Sequence, residues 1–262
     1  MVVALDAPGH RSHFVHRPGE VYLPPAYFTP ARASLPVLVM LPGTPGATTA
    51  WITAGGAVTT ANAYAATHSG VAPVLVFADN NGSTTADTEC VDGPQGNAET
   101  YLTVDVPTFV TTTLHIVHDP ARWGVAGFSE GGTCALGLVL RHPEVYRHLV
   151  DLGGDAAPTL GGPAHTRHAL FGGSAAQVVA HNPAHLLATH HYPGVTAWFA
   201  AGHADPRRVA VALRLAPIAA QAGIVQHEFT ISGGHSWQFA AAAFARILPQ
   251  LCPELGLATV AA

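Results

Sequence analysis

One stretch, residues 123–136, constrains this chain more than any other: Trp-Gly-Val-Ala-Gly-Phe-Ser-Glu-Gly-Gly-Thr-Cys-Ala-Leu. It reads as a short apolar strand, a turn at Gly127-Phe128-Ser129-Glu130-Gly131, and a small-residue helix running to about Arg141. A Gly-x-Ser-x-Gly turn between a strand and a helix lifts its serine clear of the strand end on a strained backbone. Gly127 and Gly131 lack the Cβ atoms that would collide across so tight a turn. The first amides of the helix face the serine and favour negative charge there. Ser129 is therefore the candidate nucleophile. The plainer reading makes Ser129 a helix N-cap in a Gly-rich loop.

A turn of this kind needs other buried strands beside it, and the flanking sequence supplies them. Residues 35–41, 73–78 and 196–202 are apolar or mostly apolar runs of strand length, and 148–153 and 225–231 read as further strands. Runs without alternation suit strands buried on both faces. Helices are expected at 51–68, at 99–117 with an interruption near Pro107, at 206–221 with Pro206 at its start and a kink at Pro217, and in a final Ala-rich segment to about Leu251. Residues 14–16 and 21–27 read as two short edge strands, the second stopped by Pro24-Pro25. Residues 80–98 form a long polar loop, and 156–194 an irregular cap or lid. The alternation predicts an α/β fold with a mostly parallel central sheet and helices on both faces, in one domain over 1–262. A content of 48% hydrophobic against 10% charged residues suffices for the core such a sheet needs.

A serine is a poor nucleophile without a base, and a base needs an orienting acid. Asp205 and His235 each follow a predicted strand, at the sheet edge where ligands bind in α/β folds. His235 is singled out among 17 histidines by the Gly233-Gly234 turn before it. In this reading His235 is the base and Asp205 its orienting acid, with Asp155 as the alternative acid and Glu228, mid-strand, behind both. The amides of Glu130 and Thr44 are the candidate oxyanion donors. Thr44 lies in the loop Pro42-Gly43-Thr44-Pro45-Gly46, where Pro45 has no N–H to give.

Other chemistry is disfavoured. A net charge of -5 with no basic run argues against nucleic-acid binding. No apolar run reaches transmembrane length, and the first residues lack the pattern of a signal peptide. His10, His13 and His16, and His181 and His185, lack acidic or Cys companions at metal-ligand spacing, so they read as solvated loop residues and no metal or cofactor is expected. Cys90, Cys134 and Cys252 are an odd number, so at least one is unpaired within the chain. Cys134 reads as a small core residue, and the spacing leaves open whether any two are bridged.

With these residues in place, the chain resembles the esterase-D/mycolyltransferase-like branch of the α/β-hydrolases. The carriers are Val21-Tyr22-Leu23-Pro24-Pro25-Ala26-Tyr27, Leu41-Pro42-Gly43, Glu99-Thr100-Tyr101-Leu102, Gly127-Phe128-Ser129-Glu130-Gly131-Gly132 and Gly234-His235-Ser236-Trp237. The order Ser129, Asp205, His235 is that of the fold's triads. One departure is the 42–46 loop, which has no His before its Gly. The resemblance implies an α/β-hydrolase fold and hydrolysis of small-molecule, lipid or polysaccharide esters without a cofactor. It also admits acyl transfer to a sugar or lipid hydroxyl. It is especially similar to extracytoplasmic esterase domains of actinobacterial envelope proteins, some tethered behind membrane helices, which implies an extracytoplasmic or secreted place. A non-catalytic binding module with the same fold is the reading from another class.

Overall fold

The apolar runs become the middle of one sheet. The computed structural model describes residues 1–257. In chain order its elements begin with β1 (Val2–Leu5), β2 (Gly19–Tyr22), β3 (Val37–Leu41), α1 (Ala50–Thr53), α2 (Ala57–Thr67) and β4 (Val74–Phe77). A small hairpin, β5 (Asp92–Gly93) and β6 (Gly96–Asn97), precedes α3 (Ala98–Thr100) and α4 (Val106–Thr113). Then come β7 (Trp123–Phe128), α5 (Glu130–Arg141), β8 (His148–Leu152), α6 (Pro163–Phe171), α7 (Ala175–Ala180) and α8 (Pro183–Thr189). The chain finishes with β9 (Thr196–Gly202), α9 (Pro206–Gln221), β10 (Val225–Ile231) and α10 (Trp237–Glu254).

The main sheet has the order β1-β2-β4-β3-β7-β8-β9-β10. Its pairs are parallel from β4 to β10 and antiparallel only at β1, β2 and β4. Side chains alternate across β3: Val37, Val39 and Leu41 join the core under α4, α5, α8 and α9, while Leu38 and Met40 join the core under α2 and α10. Successive strand residues point to opposite faces, so one apolar run feeds two cores. The expected mostly parallel sheet with helices on both faces is what the chain forms.

Several boundaries differ from the sequence expectations. Residues 14–16 form no strand; Phe14 is buried in the core and the edge strand is instead Val2–Leu5. The 51–68 helix is broken into α1 and α2 at Gly55-Gly56, where Gly56 takes φ 60. Pro107 does not interrupt its helix. A π-helical turn at Tyr101–Asp105 precedes it, and such a bulge accommodates a residue without an N–H. The 156–194 stretch carries more helix than its composition suggests. Pro163 and Pro183 stand at first helical positions, and Ser174 and Asn182 cap α7 and α8 with side-chain oxygens.

Candidate active site

The turn after β7 has the geometry the sequence requires. Ser129 holds φ 60 and ψ -123, a strained conformation for a residue with a side chain. A Cβ at Gly127 would lie 1.8 Å from the Gly131 oxygen, and one at Gly131 would lie 2.3 Å from the Leu41 oxygen. Only glycine fits either position. The Ser129 amide donates to the Leu152 oxygen at 3.0 Å, which pins the turn to β8.

Ser129 Oγ lies 2.8 Å from His235 Nε2, and His235 Nδ1 lies 3.3 Å from Asp205 Oδ2. These residues come from the ends of three parallel strands. The loops that carry the last two are bonded to each other: His203 N donates to Ile231 O and Ala204 N to Gly233 O, both at 2.8 Å. Asp205 also caps α9, its Oδ1 accepting from the Arg208 amide at 3.2 Å. The carboxylate therefore has one oxygen for the helix and one for the imidazole. The imidazole packs against Phe128, with ring centroids 4.8 Å apart, and Phe128 packs against Trp237 at 4.9 Å.

Burial and the Arg208 cation hold the His235 pKa below its ordinary value, against the pull of Asp205 and Asp155. Asp155 itself is engaged elsewhere, with Arg207 at 2.7 Å and Arg208 at 2.5 Å. The structure thus brings Asp205, and not Asp155, to the imidazole nitrogen. Glu228 lies on β10 away from the strand ends. His181 is buried against Glu99, 3.1 Å from its Oε2, so it is not the solvated loop residue expected.

The loop after β3 closes on the serine. A Cβ at Gly43 would lie 2.7 Å from Ser129 Cβ, which puts the backbone leading to Thr44 against the turn. The Gly132 and Thr133 amides of α5 already donate to the Ser129 oxygen, whereas the Glu130 amide, the first of the helix, has no carbonyl a turn behind it and is placed to meet an anion. The Glu130 side chain was not singled out by the sequence. It is buried, and its Oε2 accepts from Asn80 Nδ2 at 2.8 Å, Asn81 Nδ2 at 3.0 Å and Thr44 Oγ1 at 3.2 Å. Burial and the Asp87 carboxylate push its pKa up to about 8, against those hydrogen bonds. The one signal in the sequence was the polar pair Asn80-Asn81 directly after an apolar strand. Arg208 and Asp151 were missed as well. Asp151 accepts from the Gly154 amide at 2.6 Å beneath the turn, and burial pushes its pKa up to about 7.

Cys134 is not simply a core residue: it is disulfide-bonded to Cys90, with a Cα–Cα distance of 5.4 Å. The bond ties the 80–98 loop to α5 one turn beyond Glu130. Cys252 is free and buried.

A family model described as "Putative esterase" matches residues 16–251. The chain belongs to this esterase family. The esterase is 36% identical over 252 residues to an uncharacterized protein of Corynebacterium glutamicum, covering 94% of this chain and 59% of that protein's length. It therefore spans less than two thirds of the relative it matches. Among solved structures it is similar to a ferulic acid esterase, with a TM-score of 0.79 at 17% identity over 97% of this chain and 98% of the other. An S-formylglutathione hydrolase from Agrobacterium tumefaciens gives 0.73 at 17% identity over 98% and 94%. MPT51 from Mycobacterium tuberculosis gives 0.60 at 19% identity over 92% of each chain. At these identities the likeness is one of fold, and the fold is that of the α/β-hydrolases. Among the described residues no helix is long and apolar enough to cross a membrane.

Proposed function

We propose that this esterase works through an acyl-enzyme on Ser129. The observation that carries the reading is the run of contacts from Ser129 Oγ to His235 Nε2 and from His235 Nδ1 to Asp205 Oδ2. Ser129 Oγ attacks the ester carbonyl carbon while His235 Nε2 takes its proton. The carbonyl oxygen becomes an oxyanion, which the amides of Glu130 and Thr44 hold. One such donor is worth roughly 10²–10³ in rate. Collapse of the tetrahedral intermediate breaks the bond to the alcohol oxygen, and His235 returns the proton to it. Water then attacks the acyl carbon, again losing a proton to His235, and Ser129 leaves as the free hydroxyl with a carboxylic acid as product. Asp205 keeps the imidazole in the tautomer with a lone pair on Nε2 and stabilises the imidazolium.

The substrate class is a carboxylic ester of a small molecule, lipid or polysaccharide; aryl esters such as the feruloyl type fit the likeness to a ferulic acid esterase. The 156–194 helices act as a cap on the single domain. Their approach supports this: the Thr159 amide donates to Glu89 Oε1 at 3.0 Å, joining the cap to the 80–98 loop. The Cys90–Cys134 disulfide supports an oxidising, extracytoplasmic location.

Burst kinetics with a p-nitrophenyl acyl ester test the reading. The parent releases p-nitrophenol in a burst stoichiometric with enzyme, and Ser129→Ala does not. A burst that survives in Ser129→Ala overturns it. An added alcohol in the same assay separates hydrolysis from acyl transfer by its product.

A further inference from the structure

The Glu130 side chain stands outside the proton path from Ser129 to Asp205, yet it is the hub of the polar contacts behind the serine. A single oxygen, Oε2, accepts from Asn80 Nδ2, Asn81 Nδ2 and Thr44 Oγ1. Each donor is itself tied to a loop. Asn80 Nδ2 also reaches the Pro42 oxygen at 3.2 Å. Asn81 Nδ2 reaches Thr44 Oγ1 at 2.8 Å, and Asn81 Oδ1 accepts from the Thr88 amide at 2.8 Å. The other Glu130 oxygen lies 3.4 Å from Cys134 Sγ, which is locked in its disulfide. The carboxyl therefore joins the loop after β3, the loop after β4 and the first turn of α5.

We propose that Glu130 is a positioning residue for ester cleavage: through Thr44, Asn80 and Asn81 its carboxyl holds the Pro42–Thr44 backbone in register with the serine turn. The proposal rests on the reading of Ser129 as nucleophile and of Thr44 and Glu130 as amide donors. The physical need is clear. Two amides from different loops must converge on one oxygen, and a shift of a fraction of an ångström loosens the bond where charge develops. Gly131 and Gly43 let the backbones approach, but nothing in a glycine fixes their distance. The buried carboxyl does, because Oε2 is the one acceptor that Thr44, Asn80 and Asn81 share; without it each falls back on a separate partner, Ala86 O, Pro42 O and Thr44 Oγ1, and the two loops lose their common anchor.

The test uses Glu130→Gln, Glu130→Leu, Thr44→Val and the double variant Glu130→Leu/Thr44→Val, with Ser129→Ala as reference. Gln keeps one carbonyl oxygen for the three donors; Leu keeps the volume and removes the acceptor. Glu130→Leu is expected to lose about 10- to 100-fold in kcat with KM within about threefold, below the ~10²–10³ of deleting one donor outright. Glu130→Gln is expected to recover kcat to within about threefold of the parent. Thr44→Val, which keeps its amide, is expected to lose kcat in the same direction, and the double variant to be no worse than Glu130→Leu by more than about twofold, since both act through one hydrogen-bond network. An intact thermal transition confirms that the variants are folded, and full occupancy by a fluorophosphonate probe does so for those that keep Ser129. Undiminished kcat in folded Glu130→Leu, equal losses in Gln and Leu, or additive losses in the double variant overturn the proposal. If Glu130→Leu does not fold, unchanged kcat in Thr44→Val overturns it. Activity retained in Ser129→Ala is a different result: it removes the nucleophile reading, whatever Glu130 does.

Discussion

Asp205 Oδ2 stands 3.3 Å from His235 Nδ1, while Asp155, the other acid near that sheet edge, is held by Arg207 and Arg208. The two carboxylates differ in what they face. Asp205→Asn is expected to lower kcat by about 10⁴, because an amide favours the wrong imidazole tautomer. Asp155→Asn is expected to lose less than about tenfold, the worth of one pKa unit at His235. Steady-state kinetics on both variants check this, and the reverse ranking would exchange their roles.

The pH dependence of kcat/KM follows from the sign of the shift at His235. Burial and Arg208 lower its pKa, so the neutral, basic form persists to more acid pH than in a free imidazole. Activity is expected to fall on acidification with a midpoint below the ordinary ~6.5 of histidine. Arg208→Gln removes the cation and releases Asp155 from one partner. Both changes favour the imidazolium, so the midpoint is expected to move up. A midpoint unmoved or lowered in Arg208→Gln contradicts this account of the shift.

The disulfide joins cysteines 44 positions apart. Bonds of this kind typically contribute about 2–4 kcal/mol, in the simplest account by restricting the unfolded chain. The Cys90→Ser/Cys134→Ser chain is expected to lose stability of that order in urea unfolding, and a reductant to have no further effect on it. An unchanged midpoint would mean that the bond contributes nothing.

Glu99 holds a second cluster, outside the run from Ser129 to Asp205. Its Oε1 accepts from Arg141 Nε and lies against His142 Nε2, both at 2.6 Å, and its Oε2 lies against His181. Burial raises its pKa, but the contacts with His142, His181 and Arg141 outweigh burial and hold it well below the usual carboxylate range. A carboxylate with a depressed folded pKa contributes stability above its unfolded pKa of ~4.3 and loses it as pH falls toward the folded value. Glu99→Ala is expected to cost about 3–5 kcal/mol at neutral pH, since Arg141 is left without its partner. The gap between the two chains should narrow as pH drops below about 4. Parallel stability curves down to strongly acid pH would show that the carboxylate charge is not the source.

Much of the fold was legible because strands buried on both faces must be apolar and of limited length. The apolar run at 196–202 and the helix at 206–221 match the strand and helix found. The residues of the site were legible where backbone geometry restricts residue type, as in the turn at Gly127 and Gly131 and the Gly-Gly before His235. What stayed hidden depends on side chains meeting across long separations. Cys90 meets Cys134, and Glu130 meets Asn80 and Asn81, only because the loops after β3 and β4 fold back over α5. No local pattern encodes that. Val2–Leu5 was missed for a different reason: it is an edge strand of only four residues, of which Leu5 alone is fully buried.

The crowding at three glycines divides the site for anyone wishing to evolve it. At 43, 127 and 131 even a methyl group would strike backbone or the serine itself, so sequence diversity there yields dead protein. The polar 80–98 loop and the cap helices carry no such steric veto over most of their length. Libraries that recode those two segments while keeping Asn80, Asn81, Cys90 and Gly93, and that leave the turn untouched, would search for new ester preferences without dismantling the machinery that cleaves the bond.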